Sequence, residues 1–160
     1  MKFGRVRVAQ FQEQDCRLTL REALAEFYSV NSGVFSVPQP KTKWTAMLVN
    51  HDVSHVFFGV NTSILDEAAG DYWTLFATDL SFNEYLGYAK TPEAKKLIKD
   101  IGFINVVKSL IFSLPLVFKI LFLSKNMTCK WKHEGYEKHM DTPLVDIRNQ
   151  YNLKILTYDS

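Results

Sequence analysis

The sequence predicts an all-α fold: a compact bundle of roughly seven helices in one domain over residues 1–160, with its core at about 18–153. Helix-start signals recur along the chain, a hydroxyl followed three residues later by an acid at Thr19/Glu22, Ser63/Asp66 and Ser81/Glu84, and Thr-Pro pairs at Thr91-Pro92 and Thr142-Pro143. Between these starts the apolar residues return with helical period, as Leu20, Leu24, Phe27 and Tyr28 do. Length and composition agree, because 160 residues with 47% hydrophobic and 22% charged can bury a sizeable core and are neither disordered nor collagen-like. Internal repeats and low-complexity tracts are absent.

Residues 1–18 read as an irregular lead, with Val6, Val8 and Phe11 packing onto the body. The first helix opens at Thr19 and stops near Val30, before Asn31-Ser32-Gly33. After a loop stiffened by Pro38 and Pro40, a second helix runs from about Thr42 to Phe58, and Trp44, Met47 and Leu48 on it are core or the floor of a pocket. The break at Gly59-Val60-Asn61-Thr62-Ser63 permits a reversal, and a third helix runs from Ser63 to Thr78 or Leu80. Short helices are expected at about 81–89, 91–100 and 133–140, and a last one from Thr142-Pro143 to Tyr151, beyond which the tail should be weakly held. The greasiest run, Ile101 to Leu123, approaches the length of a membrane span. Lys108 and Lys119 would each cost roughly 2.5 kcal/mol or more near a bilayer centre, and Pro115 bends the helix, so a span is rejected in favour of a kinked, apolar helix.

Chemistry concentrates at His51-Asp52-Val53-Ser54-His55 and at Glu67. His51 and His55 lie one helical turn apart on one face, with Asp52 on the same arc. Residue 61 is midway between His55 and Glu67 and sits in the helix break, so an antiparallel pair brings Glu67 back to His55. Two imidazoles and two carboxylates would then hold a divalent metal through His51, Asp52, His55 and Glu67: zinc first, with iron, manganese and magnesium as alternatives. The bland alternative is a solvated, hydrogen-bonded helix pair, in which Glu67 only complements the N-terminal dipole of its helix. Asp71, one turn after Glu67, is a candidate outer partner for a ligand histidine. His139 has only Asp141 at metal spacing, and both His133 and His139 stay outside the site; the cysteines Cys16 and Cys129 form no C-x-x-C motif, which favours a reducing compartment.

These residues resemble the coenzyme Q (ubiquinone) biosynthesis protein four family. His51, Asp52, His55, Gly59 and Glu67 match its signature of His-Asp-x-x-His, a Gly four residues on and a Glu after eleven intervening residues. The segments Leu20 to Tyr28 and Asp141-Thr142-Pro143-Leu144 with Arg148 also look like the family. The resemblance implies a metal-containing protein that binds an isoprenoid lipid or prenylated quinone precursor, associates peripherally with membrane and works with other quinone-biosynthesis proteins. It further implies oxidative decarboxylation at C1 of the prenylated aromatic ring, with Asp52 as catalytic base or proton donor. The alternative from the same family is a non-catalytic lipid-binding platform that organises the pathway enzymes. A metallohydrolase of the H-E-x-x-H kind fits less well, because its general base is Glu and Asp is one methylene shorter.

Charge is uneven. Lys90 to Met140 carries ten lysines against four acids within a chain of net charge +2, and that half is also the most apolar. Lysines flanking hydrophobic helix favour an anionic membrane surface over nucleic acid, with Lys125, Lys130, Lys132 and Trp131 as an interfacial anchor. An apolar helix left off the membrane would have to meet a second copy, as in a homodimer. The N-terminal residues show neither a secretory signal nor an Arg- and Ser-rich transit segment, so the expected location is the bacterial cytoplasm. The resemblance implies the inner face of the membrane there, and the matrix side of the mitochondrial inner membrane in a eukaryote.

Overall fold

Thr19 opens the first helix by the reciprocal bonding its sequence predicts. Its hydroxyl accepts from the Glu22 N–H, and the Glu22 carboxylate accepts from the Thr19 N–H at 2.9 Å. The structure, a computed structural model, describes residues 7–32, 43–89 and 103–157. Its six described α-helices are α1 (Leu20–Val30), α2 (Lys43–Phe58), α3 (Ile64–Ala77), α4 (Phe82–Ala89), α5 (Phe103–Lys125) and α6 (Leu144–Gln150). Single 3-10 turns lie at Gln10–Gln12 and Tyr136–His139. No strand occurs among the described residues, only isolated bridges at Thr19/Pro143 and Thr78/Trp131. The all-α expectation therefore holds, while the helix expected at 91–100 lies outside the described residues.

The packing order follows from the caps and the turn. Ser63 caps α3 by accepting from the Asp66 N–H, and Ser81 with Glu84 forms the second capping box, at α4. Gly59 ends α2 with φ +66, the left-handed conformation that spares glycine the Cβ clash. The α1 end is tied to this turn, because Asn31 donates to the Asn61 side chain at 2.9 Å and accepts from the Thr62 hydroxyl. On the far side of α3 lies α5, joined to it by the Tyr72 and Ser113 hydroxyls at 2.8 Å.

The core is bound together by Arg148, which is fully buried on α6. Its guanidinium donates to the carbonyls of Val56 and Phe57 at the end of α2, and to those of Phe11 and Glu13 in the lead. A cation placed on the last carbonyls of a helix satisfies acceptors that the helix itself leaves open and complements its dipole. Arg148 thereby anchors the end of α2 just behind His55.

Several expectations are corrected. Phe11 enters the core as expected, but Val8 is 54% exposed. The tail is held: Leu153, Ile155 and Leu156 are buried, and the Gln14 side-chain amide bonds both the Leu153 carbonyl and the Ile155 N–H. The segment 133–140 forms only a 3-10 turn, because Gly135 at φ +84 breaks the helical path. Thr142 makes no side-chain cap for α6; the lead does so instead, through the carbonyls of Leu18 and Cys16 accepting from Leu144 and Val145. Trp131 is no surface anchor but core, stacked on Phe57 with ring centroids 4.1 Å apart.

Candidate metal centre

His55 stands in the last turn of α2, and its environment fixes its tautomer. The turn after Gly59 returns the chain so that the Asn61 carbonyl lies 3.0 Å from the His55 Nδ1. A carbonyl only accepts, so Nδ1 carries the hydrogen and Nε2 is left with its lone pair. That Nε2 lies 3.3 Å from the Nε2 of His51, one turn earlier, and 3.6 Å from Oε2 of Glu67 on α3. The three ligand atoms all lie within 4.8 Å of one another, so His51, His55 and Glu67 form a group that could hold a metal ion. The antiparallel turn centred on residue 61 thus brings the two helices together as expected.

Asp52 departs from the expectation. It lies outside the group of three, with one carboxylate oxygen accepting from the Tyr28 hydroxyl at 2.9 Å and the other 3.7 Å from the Nδ1 of His51. Asp52 is therefore placed behind His51, on the ring edge away from Glu67's partner atoms. Asp71 is hydrogen-bonded to Tyr85 of α4, and its charge acts on His51. His133 and His139 do not join the group.

Burial is graded across the site. His55 is buried, whereas the His51 and Glu67 side chains are 34% and 40% exposed, so the group has a buried wall and an open front. Burial opposes charge on His51, but the Asp52 carboxylate at its Nδ1 and the charges of Glu67 and Asp71 outweigh it and raise its pKa to about 9. Burial and the neighbouring His51 push His55 down to about 3. Without metal the proton thus belongs to His51, whose Nε2–H donates to the bare Nε2 of His55. Burial raises the Glu67 and Asp71 carboxyls, an effect partly offset by the positive His51.

Four contributors are not evident from metal-ligand spacing. Asn61 acts through its backbone carbonyl, which no sequence motif marks. Tyr28 sits on the apolar stripe of α1 and reads as core, although a buried phenol needs a partner. Tyr85 is a helix residue with no motif. Gly70 carries a usable signal: a glycine inside a helix costs about 1 kcal/mol relative to alanine, and it falls three residues after Glu67 on the same face. A Cβ there would come within 3.1 Å of the His55 Nε2, so glycine lets the imidazole lie against α3. No family model, curated protein or solved structure matches this chain.

Proposed function

We propose that this chain is a mononuclear divalent-metal protein of prenylquinone biosynthesis, with the metal held by His51, His55 and Glu67. The carrying observation is the spacing of the donors. Ligands about 2.0–2.1 Å from a tetrahedral ion are themselves about 3.3 Å apart, and the two imidazole nitrogens already stand at 3.3 Å. Two histidines and one carboxylate with an open front is the donor set that leaves positions for a substrate oxygen or dioxygen.

The substrate we propose is a polyprenylated hydroxybenzoate, with its ring at the open front and its tail on apolar surface. An apolar groove of about 370 Å³ lies where α3 and α5 end, lined by Leu75, Phe76, Leu121 and Met127 with Lys125 and Lys130. Leu75 is eight residues beyond Glu67, about 12 Å along the helix, within reach of a prenyl chain whose ring is at the metal. The reaction would break the ring–carboxyl bond and release CO2. One atom of dioxygen becomes the new hydroxyl, and the other leaves as water with two electrons and two protons from a reductant. Such chemistry suits iron or manganese, whereas zinc would supply Lewis acidity or structure only.

Metal analysis of the protein purified from its own host, combined with turnover of a prenylated 4-hydroxybenzoate in air and without oxygen, tests the reading. Oxygen-dependent release of CO2 that disappears in His55→Ala is expected, and a protein that binds no divalent metal overturns it. The second reading, a lipid-binding platform at the membrane, is favoured by one feature. Ile111, Leu114, Phe118 and Phe122 are all exposed along one face of α5, although no described helix is long and apolar enough to cross a membrane. Lipid binding that survives His55→Ala without any turnover would select that reading.

A further inference from the structure

The two histidines are oriented by different means. His55 is held by backbone, through the Asn61 carbonyl at 3.0 Å, and its ring lies against Gly70. His51 is partly exposed, and the group at its Nδ1 is the Asp52 carboxylate, 3.7 Å away. Asp52 is itself 2% exposed, and its second oxygen is engaged by the Tyr28 hydroxyl at 2.9 Å. Tyr28 belongs to α1, a different helix from either ligand-bearing one. A chain of contacts therefore runs from α1 through Asp52 to the more exposed of the two histidines.

We propose that Tyr28 is a positioning residue of the metal centre, acting through Asp52: its hydroxyl pins one carboxylate oxygen, keeps Asp52 out of the coordination sphere, and presents the other oxygen to His51 as an outer partner. The inference rests on the metal reading above and makes a narrower claim. A carboxylate whose one oxygen is tied to a buried phenol cannot swing forward to the metal without abandoning that phenol in the core, which is costly. Held in place, it fixes the ring orientation of His51 and raises its basicity as a ligand.

Cobalt(II) titration of the full-length protein tests both layers, because the visible bands of cobalt report its ligands while the titration reports affinity. Tyr28→Phe keeps the ring in the core and Asp52→Asn keeps the shape of the side chain. Each is expected to weaken cobalt binding about 10- to 100-fold, and Asp52→Asn to leave the band positions of the wild type. The double variant should bind no more weakly than Asp52→Asn alone, since the proposed action of the Tyr28 hydroxyl runs through Asp52. Losses that multiply in the double variant, or bands that shift in Asp52→Asn as for a lost ligand, overturn this inference while leaving the metal site standing. A wild type that takes up no cobalt overturns the metal reading as well.

Discussion

The end of α2 and the outer face of α5 are built from similar apolar residues and yet face opposite ways. From Asp52 to Val60 every residue of the first is buried, and each polar group there has a role: Ser54 bonds back to Asn50, Asp52 meets Tyr28, His55 meets Asn61, and Arg148 takes the last carbonyls. On α5, Ser113 meets Tyr72 of α3 and Ile120 is buried, while Phe118 and Phe122 are 72% and 68% exposed. The first region is closed by internal bonding and so should govern stability and metal affinity. The second meets nothing internal among the described residues, and its effects should appear only when lipid or another chain is present.

Arg148→Met is the most damaging change that this contrast predicts. It strands four carbonyls that the guanidinium now serves, and the cost of about 4 kcal/mol or more is a large part of the stability of a domain this size. Denaturant midpoints will show it, and a loss under 1 kcal/mol would mean that water serves those carbonyls equally well. Next is His55→Ala, expected to weaken zinc or cobalt binding by more than about 100-fold, the upper range for outer partners. Calorimetric titration checks this, with Phe118→Ser as the control that should bind metal normally.

Proton linkage gives the third prediction. His51 has its pKa raised from 6.5 to about 9, so the stability it adds to the metal-free protein is complete below pH 6.5 and is lost as pH rises through about 9. Metal must displace that proton, so affinity should climb up to about tenfold per pH unit from 6.5 and level off above about 9. Titrations in buffers of different ionisation enthalpy should show about one proton released per metal at pH 7.5. Uptake of protons on binding would contradict the assignment of the proton to His51.

Gly59→Ala is expected to cost about 1–2 kcal/mol, because φ is +66 and the new Cβ would come within 2.9 Å of the Ile155 Cδ1. The smallest effect on stability belongs to α5: Phe118→Ser with Phe122→Ser should move the unfolding midpoint by less than about 0.5 kcal/mol for each change. The same double variant should lose flotation with vesicles containing anionic lipid. A large loss of stability instead would place those rings in an intramolecular contact and erase the contrast between the two regions.

The sequence by itself determined the helical class, the capped starts at Thr19, Ser63 and Ser81, and the meeting of His51, His55 and Glu67. Each of these depends on neighbours within a turn, or on a short reversal about residue 61, and local geometry carries such information. Tertiary structure alone decided that Asp52 turns toward Tyr28, that Trp131 stacks on Phe57, and that Leu153 and Ile155 are held by Gln14, a residue far off in the chain. Periodicity says which face of a helix is apolar and where a ligand can point, but the partner of a buried polar group is settled by whichever distant segment reaches it, and that contact leaves no mark in spacing.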